Sequence, residues 1–195
     1  MCQAGCGRSL QENRAVTVKI IRGVSILRDR ERRQAEFPRG TVVTAGAFDG
    51  VHKGHQAILQ KVVDTARQLG VPSVALTLEP LPREYFTPVQ APPRLMSLRE
   101  KCDALQLVGL DYLLVLKFDD RLRNVDAHEF AHDVFVEGLQ CRHVIIGDDY
   151  QFGRDADGNL DLLIALGDKH NFAVEVADTF LIDGERVSST RCLLY

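Results

Sequence analysis

Five strand-length runs of apolar, largely β-branched residues alternate in this chain with four segments of helical spacing. The runs are TVVTAGAF (41–48), SVALTLEP (73–80), DYLLVLKF (111–118), RHVIIGDD (142–149) and FAVEVADTF (172–180). The first intervening segment carries Ile58, Leu59, Val62, Val63, Ala66 and Leu69 at three- and four-residue spacing and ends at Gly70. The second, SLREKCDALQLVG (97–109), has Ser97 as N-cap and Glu100 as its capping-box partner. The third and fourth are DAHEFAHDVFVEGL (126–139) and GNLDLLIALGDKHN (158–171). Strands that are apolar throughout, rather than alternating, belong in a parallel sheet covered on both faces. The expected fold class is therefore α/β: a Rossmann-like parallel sheet with helices on both faces. FLIDGERVSS then predicts a short hairpin turning at Asp183 and Gly184, and SSTRCLLY the first turns of a closing helix. Right-handed crossovers place the strand C-termini along one edge, where open α/β sheets bind ligands at the switch in strand order.

At 195 residues the chain has room for one domain with a substantial core, and a second full domain would be a squeeze. With 24 basic and 27 acidic residues, net charge −3, nothing advertises a polyanion, so neither a nucleic acid nor a membrane is expected as partner; oligomeric state has no signature. The longest apolar runs, LLVL and HVIIG, are far short of the roughly 20 residues that span a bilayer. The N-terminal MCQAGCGRSLQENRA has no apolar signal-peptide core. Five cysteines, irregularly spaced and without a CxxC pair, read as free thiols in a reducing compartment. A cytoplasmic location is expected.

The segment that carries chemistry is GAFDGVHKGHQAIL (46–59), at the junction of the first strand and the first helix. Gly46 and Gly50 remove side chains where the chain turns, and the following helix points unpaired N–H groups and a partial positive charge at the same place. His52 and His55, three apart, share one helix face and can both donate to phosphate oxygens. A metal pair or two incidental surface histidines is the alternative, but no third metal ligand is evident. Without GxGxxG or the Walker pattern, the glycines alone are weak evidence.

GAFDGVHKGH resembles the GxFDGxHxGH signature of the nucleotidylyltransferase superfamily. TLEPLPREYFTP, RLMSLREKCDALQLVGLDYLLVLKFD, HVIIGDDYQFG and GERVSSTR are similar, in order and spacing, to the adenylyltransferase (FAD synthetase) module of bacterial bifunctional riboflavin kinase/FMN adenylyltransferases. The resemblance runs from about Val18, with VKIIRGVSIL similar to that family's first strand, to the C-terminus. It implies a domain over 17–195 and a loosely attached or disordered extension over 1–16; the riboflavin kinase barrel that follows this module in that family is expected to be absent here. It also implies the reaction: AMP passes from ATP to the phosphate of FMN, giving FAD and pyrophosphate, with Mg²⁺ as activating ion.

Carried over residue by residue, the resemblance assigns His52, His55, Ser189 and Thr190 to catalysis. Gly46, Phe48, Asp49, Gly50, Arg186, Ser188 and Arg191 would bind ATP, and Pro80, Pro82, Asp148, Asp149 and Phe152 the flavin or a ribose. No metal ligand is directly assigned, although Asp148 and Asp149 suit ribose, base or metal contacts. Several of these residues have equally ordinary readings: Asp49 as a turn or cap residue, Ser188 or Ser189 as an N-cap, Phe152 as core. The chain also departs from the family pattern at Ala47, usually Asn; at Leu81, often His or Gln; at Asn159, usually Asp; and at Cys192 and Leu193, usually Ile and Arg. Those departures keep two alternatives open: nucleotidyl transfer to another phosphorylated acceptor, or a catalytically weakened nucleotide- or flavin-binding paralogue.

Overall fold

The computed structural model describes residues 17–23, 29–177, 181–182 and 185–186. Six strands form one parallel sheet: β1 (Lys19–Arg22), β2 (Thr41–Ala45), β3 (Ser73–Glu79), β4 (Tyr112–Lys117), β5 (Cys141–Ile146) and β6 (Ala173–Val176). Their order is β1-β4-β3-β2-β5-β6, every neighbouring pair parallel. From β2 the chain builds outward through β3 and β4, then crosses back to place β5 on the other side of β2. The crevice beyond the carboxyl ends of β2 and β5 is therefore the switch point, where ligands of such sheets bind. Leu181–Ile182 (β7) and Glu185–Arg186 (β8) pair antiparallel, the hairpin expected there; its turn residues Asp183 and Gly184 lie outside the described residues.

The unbroken apolar strands make sense once the two faces are separated. Val43, Ala45, Val74, Leu76, Leu114, Leu116, Val144 and Ile146 pack on one side. Val42, Ala75, Leu113, Val115 and Ile145 pack on the other. On the second side lie α2 (Lys53–Leu69), through Leu59, Val62, Val63 and Ala66, and α4 (Leu98–Val108), through Leu105. The first side is covered by α6 (Ala127–Ala131) with its continuation His132–Gly138, and by α7 (Leu160–His170). That continuation winds as a π-helix rather than the α-helix expected over 126–139, and Leu139 N–H closes onto the Val134 carbonyl at 2.8 Å.

The helix ends follow the side chains expected of them. Ser97 Oγ accepts from Glu100 N–H at 3.3 Å while Glu100 Oε2 accepts from Ser97 N–H at 2.7 Å, a complete capping box. Gly70 closes α2 in the left-handed region (φ 64°). Asn159, one of the departures from the family pattern, caps α7 by accepting from Leu162 N–H at 3.1 Å; Asp fills that role equally well. Three short helices have no counterpart in the periodicity: α1 (Arg30–Glu36), α3 (Pro82–Phe86) and α5 (Asp120–Arg123). Each is too short to show an apolar stripe of its own.

Candidate active site

Where β2 ends, the chain turns through GAFDGV in an unusual backbone. Phe48 (φ 47°), Gly50 (φ 79°) and Val51 (φ 34°) all take positive φ, which for the two side-chain-bearing residues is a strained conformation. The surroundings over-determine it. The rings and branches of Phe48 and Val51 are buried at 2% and 4% exposure. The Asp49 carboxylate accepts from Leu95 N–H at 3.0 Å and from Met96 N–H at 3.2 Å. Lys101 Nζ donates to the Ala47 carbonyl at 2.6 Å, and Thr77 Oγ1 donates to the same oxygen at 3.4 Å. At Gly50 a Cβ would stand 2.6 Å from Leu95 Cδ1. Asp49 and Gly50 are thus occupied in holding the turn against the segment before α4, and neither lines the cleft in front of it.

The turn delivers two imidazoles to the start of α2. His52 is the N-cap: its Nδ1 accepts from His55 N–H at 3.3 Å, so the proton of the neutral ring sits on Nε2. The His55 ring stacks on it with centroids 3.7 Å apart and planes inclined by 17°, and meets the edge of Phe48 at 5.3 Å. Burial, followed by the nearby His52 and the Lys101 ammonium, pushes the His55 pKa down to about 3. Burial also lowers His52, against a pull upward from Asp49. At neutral pH both rings are therefore uncharged donors at a helix N-terminus, a site made for an anion.

The His55 shift has a consequence for stability. An unfolded chain takes up a proton on this ring below about pH 6.5, whereas the folded chain refuses it until about pH 3. Its contribution is complete above pH 6.5 and is lost as pH falls toward 3, at no more than about 1.4 kcal/mol per pH unit. Denaturant titrations should show a shallower acid limb over this window for His55→Gln than for the wild type; equal slopes would contradict the depressed pKa.

A cleft of about 1050 Å³ opens in front of the turn, over the carboxyl ends of β2 to β6. Gly46, Ala47, Phe48, His52 and His55 form one wall. A second wall, from the ends of β3 and β4, is apolar and aromatic: Leu78, Leu81, Pro82, Phe86 and Phe118. The Tyr85, Phe86 and Phe118 rings pack edge to face at 5.2 to 5.7 Å, and the Arg123 guanidinium lies over Phe86 at 5.3 Å. Arg94 anchors this wall from behind, pairing with Glu79 at 2.5 Å and with Glu84. Pro80, between that anchored Glu79 and Leu81, does not line the cleft.

After β5, the segment GDDYQFG supplies a third wall, with Asp148 and Asp149 facing the cleft. Phe152 serves both readings: it is 7% exposed and packs on Phe130, yet its remaining surface belongs to the cleft. The structure thus brings together Gly46, Phe48, His52, His55, Pro82, Asp148, Asp149 and Phe152. Ser188, Ser189, Thr190 and Arg191, and the side chain of Arg186, lie outside the described residues, as do Cys192 and Leu193. Sequence reading missed Lys101, Arg94, Arg123 and Arg154, the last two of which line the cleft. A lysine in the first turns of an amphipathic helix carries no local signal that it points inward.

The FAD synthetase family model matches residues 34–191. The chain belongs to the FAD synthetase family. A bifunctional riboflavin kinase/FMN adenylyltransferase of Pseudomonas fluorescens is 44% identical over 174 residues, covering 89% of this chain and 53% of that protein. The counterpart from Escherichia coli (strain K12) is 37% identical over the same length and coverage. This FAD synthetase-family chain spans about half the length of the curated relatives it matches. Its fold also matches a crystal structure described as a macrolide-efflux protein from Streptococcus pneumoniae, with a TM-score of 0.68, 23% identity, and coverage of 89% of this chain and 54% of that one. Among the described residues no helix is long and apolar enough to cross a membrane.

Proposed function

We propose that the chain is an FMN adenylyltransferase. A phosphate oxygen of FMN attacks the α-phosphorus of ATP, the bond to the bridging oxygen breaks, and pyrophosphate leaves; the products are FAD and pyrophosphate. The observation that carries this reading is the pairing of stacked, neutral His52 and His55 at the start of α2 with an aromatic wall in the same cleft of about 1050 Å³. One end suits a polyphosphate and the other a flat, largely apolar ring system. The volume is at the upper limit of single-ligand pockets, as a site for two substrates requires.

In this reading His52 and His55 donate to the ATP phosphates, and His55 meets the charge that grows on them as the bond breaks. Gly46 and Phe48 shape the nucleotide turn, which Asp49 and Gly50 hold in place. Pro80 and Pro82 stiffen the flavin loop, while Asp148, Asp149 and Phe152 face the ribose or the flavin. By family resemblance, Ser188, Ser189, Thr190, Arg186 and Arg191 provide the second phosphate cradle. Among the described residues no three His, Cys, Asp or Glu side chains converge as a metal cage. Mg²⁺ needs none, because it takes most of its ligands from phosphates and water and only one or two from carboxylates. Of the three carboxylates that line the cleft, Asp148, Asp149 and Asp155, the adjacent pair Asp148 and Asp149 would complete its shell. The ion would supply charge neutralisation on the phosphates.

Incubating the folded protein with ATP, FMN and Mg²⁺ should yield FAD and pyrophosphate in equal amounts. Pyrophosphate release with some other phosphorylated acceptor, and none with FMN, would reassign the acceptor. A folded sample that binds ATP but releases no pyrophosphate with any acceptor would leave only a binding role.

A further inference from the structure

Lys101 is the one charged residue among the described fully buried side chains of α4, at 3% exposure, and no step above uses it. Its ammonium lies behind the nucleotide turn rather than in the cleft, with Nζ 2.6 Å from the Ala47 carbonyl. That carbonyl belongs to the peptide leading into Phe48, the point at which the chain enters positive φ. Burying a lysine is costly, and a neutral donor such as Thr77, already 3.4 Å from the same oxygen, would serve a purely structural need more cheaply. What the lysine adds is a positive charge that water cannot screen, set just behind the place where the reading above seats phosphates.

We propose that Lys101 is a positioning residue for nucleotidyl transfer: through the Ala47 carbonyl it holds the turn that aims His52 and His55, and it sets a positive charge behind them. The proposal rests on the adenylyltransferase reading of this cleft. Several charged groups face Lys101. Glu79 from β3 and Asp49 from the turn favour its ammonium, and Arg94 opposes it. Cys102 lies beside it on its own helix, and Glu84 on α3 feels its charge. Burial outweighs the two carboxylates and lowers its pKa from the ordinary lysine value. His55 in turn faces His52 and Lys101, both of which disfavour its protonation.

Two substitutions separate geometry from charge. Lys101→Met keeps the volume and removes both donor and charge; Thr77→Val removes only the weaker donor to the same oxygen. Lys101→Met should lower kcat for FAD formation by about 10- to 100-fold and move the His55 imidazole titration, followed by NMR in the free protein, to higher pH. Thr77→Val should lower kcat by about 2- to 10-fold and leave the His55 titration where it is. Lys101→Met with kcat within twofold of wild type, or with reduced activity but an unmoved His55 titration, overturns the proposal. If Lys101→Met does not fold, Lys101→Gln decides: it keeps a polar side chain at the site but no charge, so the His55 titration should again move to higher pH, and an unmoved titration overturns the proposal. The imidazole titration needs no turnover, so failure of the wild type to make FAD would sink the adenylyltransferase reading while leaving the effect of Lys101 on His55 measurable.

Discussion

Replacing His55 with alanine should lower kcat for FAD formation by about 100- to 1000-fold, with a much smaller change in KM for ATP and with the fold intact. The expected size is that of removing one preorganised donor from a water-poor site aimed at developing charge. His55 has that preorganisation: it is stacked at 3.7 Å on His52, wedged against Phe48, and held uncharged chiefly by burial, then by His52 and Lys101. A neutral donor gains most when the phosphates become more negative, so the loss belongs in kcat. Steady-state kinetics with varied ATP, alongside a thermal melt, measures it. A loss confined to KM would assign His55 to ground-state binding, and an unchanged kcat/KM would remove it from the reaction.

The second large effect concerns the wall that the segment after β5 supplies. Gly153→Ala should destabilise the protein by about 3–5 kcal/mol, enough to lower Tm by roughly 10 °C in a chain of this size. Gly153 has φ 79° and ψ −178°, a region open essentially to glycine alone. A Cβ there would stand 2.6 Å from Ala127 Cα and 2.8 Å from Ala127 N, which are backbone atoms at the start of α6 and cannot swing aside. Gly23 is the internal comparison, with φ 74° and nothing within 4 Å of its missing Cβ. Gly23→Ala should cost only the backbone strain, about 1–2 kcal/mol. Chemical denaturation of both variants separates strain from collision; equal losses would refute the packing argument at Gly153.

These effects mark how much of the molecule can be read without coordinates. The strands, their parallel arrangement and the Ser97 and Gly70 caps were legible, because each depends on residues within a few positions of one another. So was the His52 and His55 pair at the start of a helix. The short helices α1, α3 and α5 were not, since one or two turns carry too few residues for a periodic signal. Phe152 could be read either as core or as ligand contact, and the fold gives it both positions at once.

The sequence by itself determined the layered α/β architecture, the edge on which the site lies and the residue types available there for phosphate chemistry. Only the tertiary structure decided what those residues are bound to. It set the Asp49 carboxylate on the Leu95 and Met96 amides, 46 and 47 positions along the chain, and Lys101 on the Ala47 carbonyl, 54 positions back. Periodicity and capping are local, fixed by helix and strand geometry over a turn or two. Which side chain meets a distant backbone group, and whether its charge is stripped of water there, depends on how whole elements pack against each other.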